Sequence, residues 1–293
     1  MTIKRIKNKL IRIFFHEQWS LLICDKSRKI LKHIAPPKDR FWADPFPVEY
    51  NGKTYIFIEE QIGHGNGTLG YIELYEDLSY SSFTPILEKK YHLSFPHIFP
   101  LEENGIVNWY MIPESHENKT IDLYKANDFP NNWVFVTTMM DNVGANDSVV
   151  LFHDNYWYLF SSIGTKTTPA NYNLSLFYSK TFPSSNWTPH PQNPICSDPC
   201  NSRMAGAFFA DTETKNLFRP AQNCLHDYGK ETNINKVIEL SPTVYKEELI
   251  RTIKPEAEFN AVCTHTINYS DNYILRDIKT RIPKKFSEIS LKH

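Results

Sequence analysis

Phe41-Trp42-Ala43-Asp44-Pro45-Phe46-Pro47, followed after Asn51-Gly52 by Tyr55-Ile56-Phe57-Ile58-Glu59-Glu60, is the stretch whose reading decides the fold. It reads as a strand opened by an Asp-Pro, a tight Asn-Gly turn, and a second strand that ends in two carboxylates. An antiparallel hairpin sets the start of its first strand beside the end of its second. Asp44 and the Glu59/Glu60 pair therefore belong to one rim. Successive strand residues point to opposite faces, so only one of the two glutamates faces the same side as Asp44. Of the two, Glu60 is taken as the ligand-facing one.

The same unit recurs four more times in degenerate form. Phe95-Pro96-His97-Ile98-Phe99 and Asn104-Gly105 lead to Trp109-Tyr110-Met111-Ile112-Pro113-Glu114. Asp147-Ser148-Val149-Val150-Leu151-Phe152 and Asp154-Asn155 lead to Tyr156-Trp157-Tyr158-Leu159-Phe160. The fourth copy runs from Arg203 to Phe209 and returns through Leu217-Phe218-Arg219-Pro220; the fifth joins His265–Tyr269 to Tyr273–Asp277. Further strand-like segments follow the hairpins. Two of them share a pattern: Leu123-Tyr124 precedes Phe129-Pro130 and Trp133, as Leu176-Phe177 precedes Phe182-Pro183 and Trp187.

Each unit thus has about four strands in roughly fifty residues, the size of a propeller blade. The fifth hairpin has little chain after it to supply outer strands, and Trp19-Ser20-Leu21-Leu22-Ile23-Cys24 near the start fills the gap. The pattern predicts an all-β fold, a five-bladed β-propeller over residues 17–281, closed by the N-terminal strand. Closure removes the open sheet edges. A β-sandwich also strings short strands together, but five similar hairpins argue against it. Tyr245–Ile250 is the one stretch with an ambiguous, partly helical pattern.

Composition bounds the partners. The chain has 293 residues, Lys+Arg 32 against Asp+Glu 33, and 41% hydrophobic residues. That balance suits a globular core and offers no basic footprint for nucleic acid. Five cysteines, an odd number without a C-x-x-C pair, predict reduced thiols and neither a disulfide framework nor a zinc site. Residues 1–16 form a basic, partly apolar leader without a signal-peptide core, and 282–293 a polar tail. The leader is a candidate for peripheral contact with an anionic membrane, the alternative being a solvated segment. The expected location is cytoplasmic, at the inner membrane face if the leader binds there.

In a propeller the starts of first strands and ends of second strands gather around one mouth of the channel. Those positions collect Asp44 and Glu60 from blade one, His97 and Glu114 from blade two, and Asp147 from blade three. Blade four adds Arg203, Arg219 and Gln222, and blade five adds His265 with Asp277. Ionisable groups at otherwise apolar strand ends cost desolvation unless they pair or serve a ligand. Paired carboxylates around a pit suit glycosyl chemistry: one protonates the leaving oxygen, another activates water or stabilises the oxocarbenium-like centre. On this reading Asp44, Glu114 and Asp147 are the catalytic candidates. Glu60, His97, Arg203, Arg219, Gln222 and His265 are candidates for holding sugar hydroxyls or a phosphate. No metal site and no cofactor are expected, although His265 is placed to order an ion or water.

Ala43-Asp44-Pro45 resembles the opening of blade one in the five-bladed propeller glycoside hydrolases, the arabinanases, β-xylosidases, invertases and levansucrases. That resemblance implies a base or nucleophile at Asp44 and a stabilising, pKa-modulating role at Asp147. Its acid is a Glu; Arg203-Met204-Ala205-Gly206 on blade four has none, and Glu114 on blade two is the candidate. Phe41–Phe46, Tyr91–Pro96, Met111–Ser115 and Arg219–Gln222 are similar to a second family. It is the propeller at the N-terminus of plant glucosamine inositolphosphorylceramide transferases and in bacterial surface-polysaccharide proteins. The resemblance implies a part in capsule, lipopolysaccharide or glycolipid assembly. The expected activity is glycosyl transfer from a sugar or nucleotide sugar to a glycan or glycolipid acceptor. A propeller glycoside hydrolase and a non-catalytic sugar-binding module assisting a transferase are the alternatives.

Overall fold

The computed structural model describes residues 13–165, 167–225 and 227–284. The chain opens with β1 (Phe15–Cys24) and β2 (Ile30–Ile34). Blade one is β3 (Arg40–Tyr50), β4 (Lys53–Ile62), β5 (Gly67–Leu74) and β6 (Thr84–Leu87). Blade two is β7 (Ser94–Glu103), β8 (Ile106–Glu114), β9 (Thr120–Asp128) and β10 (Asn132–Asp141). Blade three is β11 (Ala145–His153), β12 (Tyr156–Ile163), β13 (Leu174–Ser179) and β14 (Thr188–Pro189). Blade four is β15 (Arg203–Met204), β16 (Phe209–Ala210), β17 (Leu217–Asn223), β18 (Glu231–Leu240) and β19 (Tyr245–Ile253). Blade five contributes β20 (Ala261–Cys263), β21 (Ile267–Tyr269) and β22 (Ile274–Pro283).

These strands form five antiparallel sheets, each a separate blade, so the protein is a five-bladed β-propeller. β1 pairs with β22 from Phe15↔Pro283 to Cys24↔Ile274, and β2 adds to the outside of β1. The N-terminus therefore supplies two strands of the last blade, β2 having no distinct sequence signal. Phe15 and His16 belong to β1, and Ile282 and Pro283 to β22, so the propeller reaches slightly past both expected limits. Residues 1–12 of the basic leader and 285–293 of the tail lie outside the described residues. Tyr245–Ile250 is strand, the start of β19, because β18 offers it a full antiparallel edge. Among the described residues no helix is long and apolar enough to cross a membrane.

Local chemistry explains the hairpins. Asn51-Gly52, Asn104-Gly105 and Asp154-Asn155 all have positive φ at both positions, the primed turn that matches strand twist. The two Phe-Pro corners are also alike: Trp133 Nε1 donates to Pro130 O and Trp187 Nε1 to Ser184 O. Between the blades the sheets pack through apolar faces such as Phe57, Phe95, Met111, Tyr158 and Phe160, all buried.

The first strands of blades one to three carry an equivalent bulge. The register slips between Ala43 and Phe46, between Ser94 and His97, and between Asn146 and Val149. At each slip one residue takes the left-handed region: Asp44 (φ 54°), Phe95 (φ 45°) and Asp147 (φ 49°). A bulge frees a backbone amide from the ladder, and a buried amide must find another acceptor. Here it finds a side chain. Asp44 N–H donates to Asp277 Oδ2 of blade five (3.0 Å), Phe95 N–H to Asp44 Oδ2 (3.2 Å), and Asp147 N–H to Glu114 Oε2 (3.0 Å). Asp147 in turn accepts from Arg203 and Gln222 of blade four. Asn268 of blade five accepts from Ala207 N–H of blade four and donates to Pro45 O of blade one. Every pair of neighbouring blades is thereby joined at the channel.

Asp277 closes this circle. It is fully buried, takes the amides of His265 and Thr266 on Oδ1 (both 3.0 Å), and pairs with His265 Nδ1 at 2.7 Å. Replacing it by Ala leaves three buried amides and an imidazolium without an acceptor. Asp277→Ala is expected to cost about 3–5 kcal/mol, read as a lowered urea midpoint; a loss under about 1 kcal/mol would contradict the role given to this residue.

Candidate functional site

The channel mouth holds a pit of about 210 Å³, with Trp19, Phe41, Asp44, Glu59, Arg203 and Tyr228 among its walls. His265, Glu114, His92, Ser94 and Gln61 also reach it. Of the expected residues, Asp44, Glu114, Arg203 and His265 converge here. Their convergence follows from the bulges and strand ends, which all lie at the same level of the ring.

His265 sits between two rings: Trp19 stacks on it at 4.0 Å and Tyr228 meets it edge-on at 5.4 Å. Burial disfavours the imidazolium, but Asp277 and then Asp44 outweigh burial and raise the His265 pKa above its ordinary value. Its Nε2 lies 3.6 Å from Asp44 Oδ1. Burial pushes Asp44 up to about 6, against the pull of His265. Thr266 Oγ1 donates to Asp44 Oδ1 at 2.6 Å. Both oxygens of Asp44 are thus occupied, one by Thr266 and the other by the Phe95 amide.

Glu114 is an acceptor on both oxygens: Asn146 Nδ2 on Oε1, Asp147 N–H and Arg203 NH2 on Oε2. Glu114 thus anchors the Asp147 bulge and Arg203 while also lining the pit. Asp147 does not line the pit; it lies behind Arg203, which grips it through Nε (2.5 Å) and NH2 (3.3 Å). Gln222 Nε2 donates to the same carboxylate at 2.9 Å and to Met204 O. Burial, resisted by Arg203, pushes Asp147 up to about 8. Yet all these side-chain partners are N–H donors, which fit acceptor oxygens, and the ionised form is the one this geometry holds. Arg203 itself stacks under Tyr228, its guanidinium carbon 4.9 Å from the ring centre.

Four expected ligand-binding residues do not line the pit: Gln222, which holds Asp147, and three that lie elsewhere. Glu60 faces away from the pit, accepting from Trp42 Nε1 at 2.9 Å and Arg40 NH1 at 3.2 Å. His97 is buried against Phe46 and Phe99, and burial pushes its pKa down to about 3. Neither of its ring nitrogens makes a hydrogen bond of full geometry, the Val150 backbone being the polar group that influences it. Arg219 is fully buried within blade four, bound to Glu247 through Nε (2.7 Å) and NH2 (2.5 Å) and to Asn201 O. His97 and Arg219 are spent inside the fold, because their strand positions point between blades, whereas Glu60 faces the flank of blade one.

Glu59 takes the place expected of Glu60. It pairs across the hairpin with the small Ala43, whereas Glu60 pairs with Trp42. That pairing was a usable signal: the indole N–H needs a buried acceptor, and the small residue leaves the pit open. Burial raises the Glu59 pKa, with His92 opposing. His92 Nε2 lies 3.2 Å from Glu59 Oε1, a contact too bent to count as a full hydrogen bond. Glu59 pulls the His92 pKa upward. Gly67 N–H, however, donates to His92 Nδ1 at 2.9 Å, which requires that nitrogen to be unprotonated, so the neutral Nε2–H form fits best. Trp19 and Tyr228 carry no motif, and His92 lies within Tyr91–Pro96 without an expected role; the tertiary structure brings all three to the pit.

Asp44, His265 and Asp277 place one ligand atom each within 4.8 Å of one another, a set with the chemistry to hold a cation. Both oxygens of Asp277 are already engaged by amides and by His265 Nδ1.

Comparison with known proteins agrees with this architecture. Residues 28–269 match the family described as glucosamine inositolphosphorylceramide transferase 1, N-terminal. Glucosamine inositolphosphorylceramide transferase 1 of Oryza sativa subsp. japonica is 31% identical over 212 residues, 71% of this chain and 27% of the relative. The protein of the same name from Arabidopsis thaliana is 30% identical over the same length. The chain therefore spans about a quarter of the length of these relatives. Among solved structures, the family 117 glycoside hydrolase Zg3597 of Zobellia galactanivorans superposes with a TM-score of 0.56 at 12% identity, covering 96% of this chain and 92% of that one. The GH43 protein BlXynB of Bacillus licheniformis gives 0.55 at 15% identity, covering 83% and 51%. At those identities the likeness shows the fold alone. With 83% of its length, 242 of 293 residues, inside the matched region, the chain belongs to the family of the N-terminal region of glucosamine inositolphosphorylceramide transferase 1.

Proposed function

We propose that this propeller recognises one sugar unit of a glycan or glycolipid in its central pit, as the sugar-binding part of a glycosyl-transfer system. One observation carries the reading. The carboxylates expected to be catalytic bind bulge amides and Arg203, while Glu59 lines the wall and no donor of full geometry holds its carboxylate, whose buried Oε1 lies against His92. The pit is smaller than the roughly 300–1,000 Å³ of sites for drug-sized ligands, a size that suits one sugar ring. Trp19, Phe41 and Tyr228 offer apolar faces, and Glu59, Gln61, Ser94 and Arg203 offer groups for hydroxyls. Transferase names among the relatives support the setting.

A second reading, glycosyl chemistry within the pit, is favoured by one feature. Two buried carboxyls with raised pKa values, Asp44 and Glu59, line the same wall. A carboxyl that is protonated near neutrality is a candidate general acid, and its neighbour a base. Nucleotide sugars test transfer and aryl glycosides test hydrolysis. The binding reading expects no product from the purified propeller. Product formation that falls at least about 100-fold in both Glu59→Gln and Asp44→Asn would replace it with the enzymatic one.

Glu59→Gln keeps the shape and removes the charge. It is expected to weaken binding of a recognised methyl glycoside about tenfold, the loss of one charge-assisted hydrogen bond, measured by titration calorimetry. Unchanged affinity would place the sugar elsewhere. The pit also sets a pH dependence. His265 is raised above its ordinary 6.5, so the stability its cation contributes is complete below about 6.5 and is lost as pH rises through its folded pKa. Asp44, raised from 3.8 to about 6, acts with the same sign over that lower window, so the decline above pH 6 is mainly that of His265. Melting temperature is expected to fall from pH 6 towards pH 9, and less so in His265→Gln. A flat or rising profile in the native protein would refute the raising of His265 by Asp277 and Asp44.

A further inference from the structure

Blade one carries a second and larger cavity. A cleft of about 1070 Å³ opens on its flank, against about 210 Å³ for the pit. The two are opposite faces of the same strand ends. Phe41, Ala43, Glu59 and Gln61 line the pit, and the residues alternating with them, Arg40, Trp42, Glu60 and Ile62, line the cleft. The two-residue period of β3 and β4 therefore separates the sites by the thickness of one sheet.

The cleft is built in advance of any ligand. Gln18, itself buried, donates from Nε2 to Pro37 O (2.9 Å) and Arg40 O (2.8 Å), fixing the segment between β2 and β3 from which Pro37 and Arg40 line the cleft. Gly63 N–H bonds to Asp39 O across the mouth. The floor is Glu60, 7% exposed. Both of its protein bonds, from Trp42 Nε1 and Arg40 NH1, fall on Oε1, and Oε2 is left to the cleft. Tyr80 and Phe83 flank Trp42 at 6.2 and 6.4 Å as aromatic walls.

We infer that this cleft is a second carbohydrate site that takes a stretch of neutral saccharide chain longer than the single ring of the pit. The choice of ligand follows from the lining. An acyl chain would seal Glu60 Oε2 away from water without a partner, at a cost of a few kcal/mol. A phosphate would meet that carboxylate and Glu88; of the two cations in the lining, Arg40 is already balanced by Asp39 and Glu60, and Lys89 Nζ lies over the Tyr124 ring at 5.5 Å. A run of hydroxyls satisfies Glu60 Oε2 together with Asn66, Thr68 and Ser82, while sugar C–H faces lie on Tyr80 and Phe83. The inference rests on the reading of this chain as carbohydrate-handling, but its site does not involve the pit.

Maltohexaose, cellohexaose, xylohexaose and dodecyl maltoside are the probes, titrated against the whole chain. Tyr80 is 37% exposed, so Tyr80→Ala leaves the core intact; Glu60→Gln is isosteric. At least one hexasaccharide is expected to bind with an affinity that falls tenfold or more in both variants and stays within about twofold in Glu59→Gln. Loss in Glu59→Gln with Tyr80→Ala unchanged would put the chain in the pit and overturn the inference while sparing the reading of the pit. Binding of dodecyl maltoside without any hexasaccharide, or no binding up to about 10 mM, would also overturn it.

Discussion

Capture of a bulge amide by a carboxylate of the neighbouring blade is the interaction on which the rest of the structure depends. A propeller sheet packs against its neighbours through apolar faces, which set distance but not rotation or height. The bulges at Asp44, Phe95 and Asp147 each release an amide at the channel. The side chains of Asp277, Asp44 and Glu114 receive those amides, so each blade is registered on the one before it. Arg203, Gln222 and Asn268 complete the circle through blades four and five. Left-handed backbone at non-glycine residues costs about 1–2 kcal/mol each; Asp44 and Asp147 are of a residue type that tolerates it, and at Phe95 full burial offsets it.

This use of the carboxylates reshapes the chemistry of the pit. Asp44 and Glu114 look like members of a catalytic set, and in sequence they occupy the right strand ends. In the fold their oxygens hold backbone. What is left at the wall is Glu59, a carboxyl raised by burial beside a histidine in its neutral form. His265 is held between Asp277 and Asp44 as a buried cation, stacked on Trp19 from the strand that closes the ring. Closure of the propeller and assembly of the pit are consequently one event, since Trp19 reaches His265 only when β1 pairs with β22.

The hairpin that opens the propeller does two jobs through its period of two. One set of alternating residues faces the channel and the other faces the flank, and each set ends in a carboxylate. Glu59 and Glu60 are adjacent in sequence, yet they serve cavities on opposite sides of the sheet.

Five hairpins, their Asn-Gly and Asp-Asn turns, the paired Phe-Pro-Trp corners and the need for an N-terminal closing strand were all legible in the sequence. They depend on interactions within a few tens of residues, where turn chemistry and apolar alternation act directly. The rim membership of Asp44, Glu114, Arg203 and His265 followed from the same repeat. Which oxygens were free did not follow, because the amide that Asp44 receives lies 51 residues away and the carboxylate that receives its own amide lies 233 residues away. His97 and Arg219 were indistinguishable from site residues until packing turned them between blades. The local pattern of this protein thus determined its blades and their number; only the closed ring decided which buried charges are spent on holding it together and which remain for a ligand.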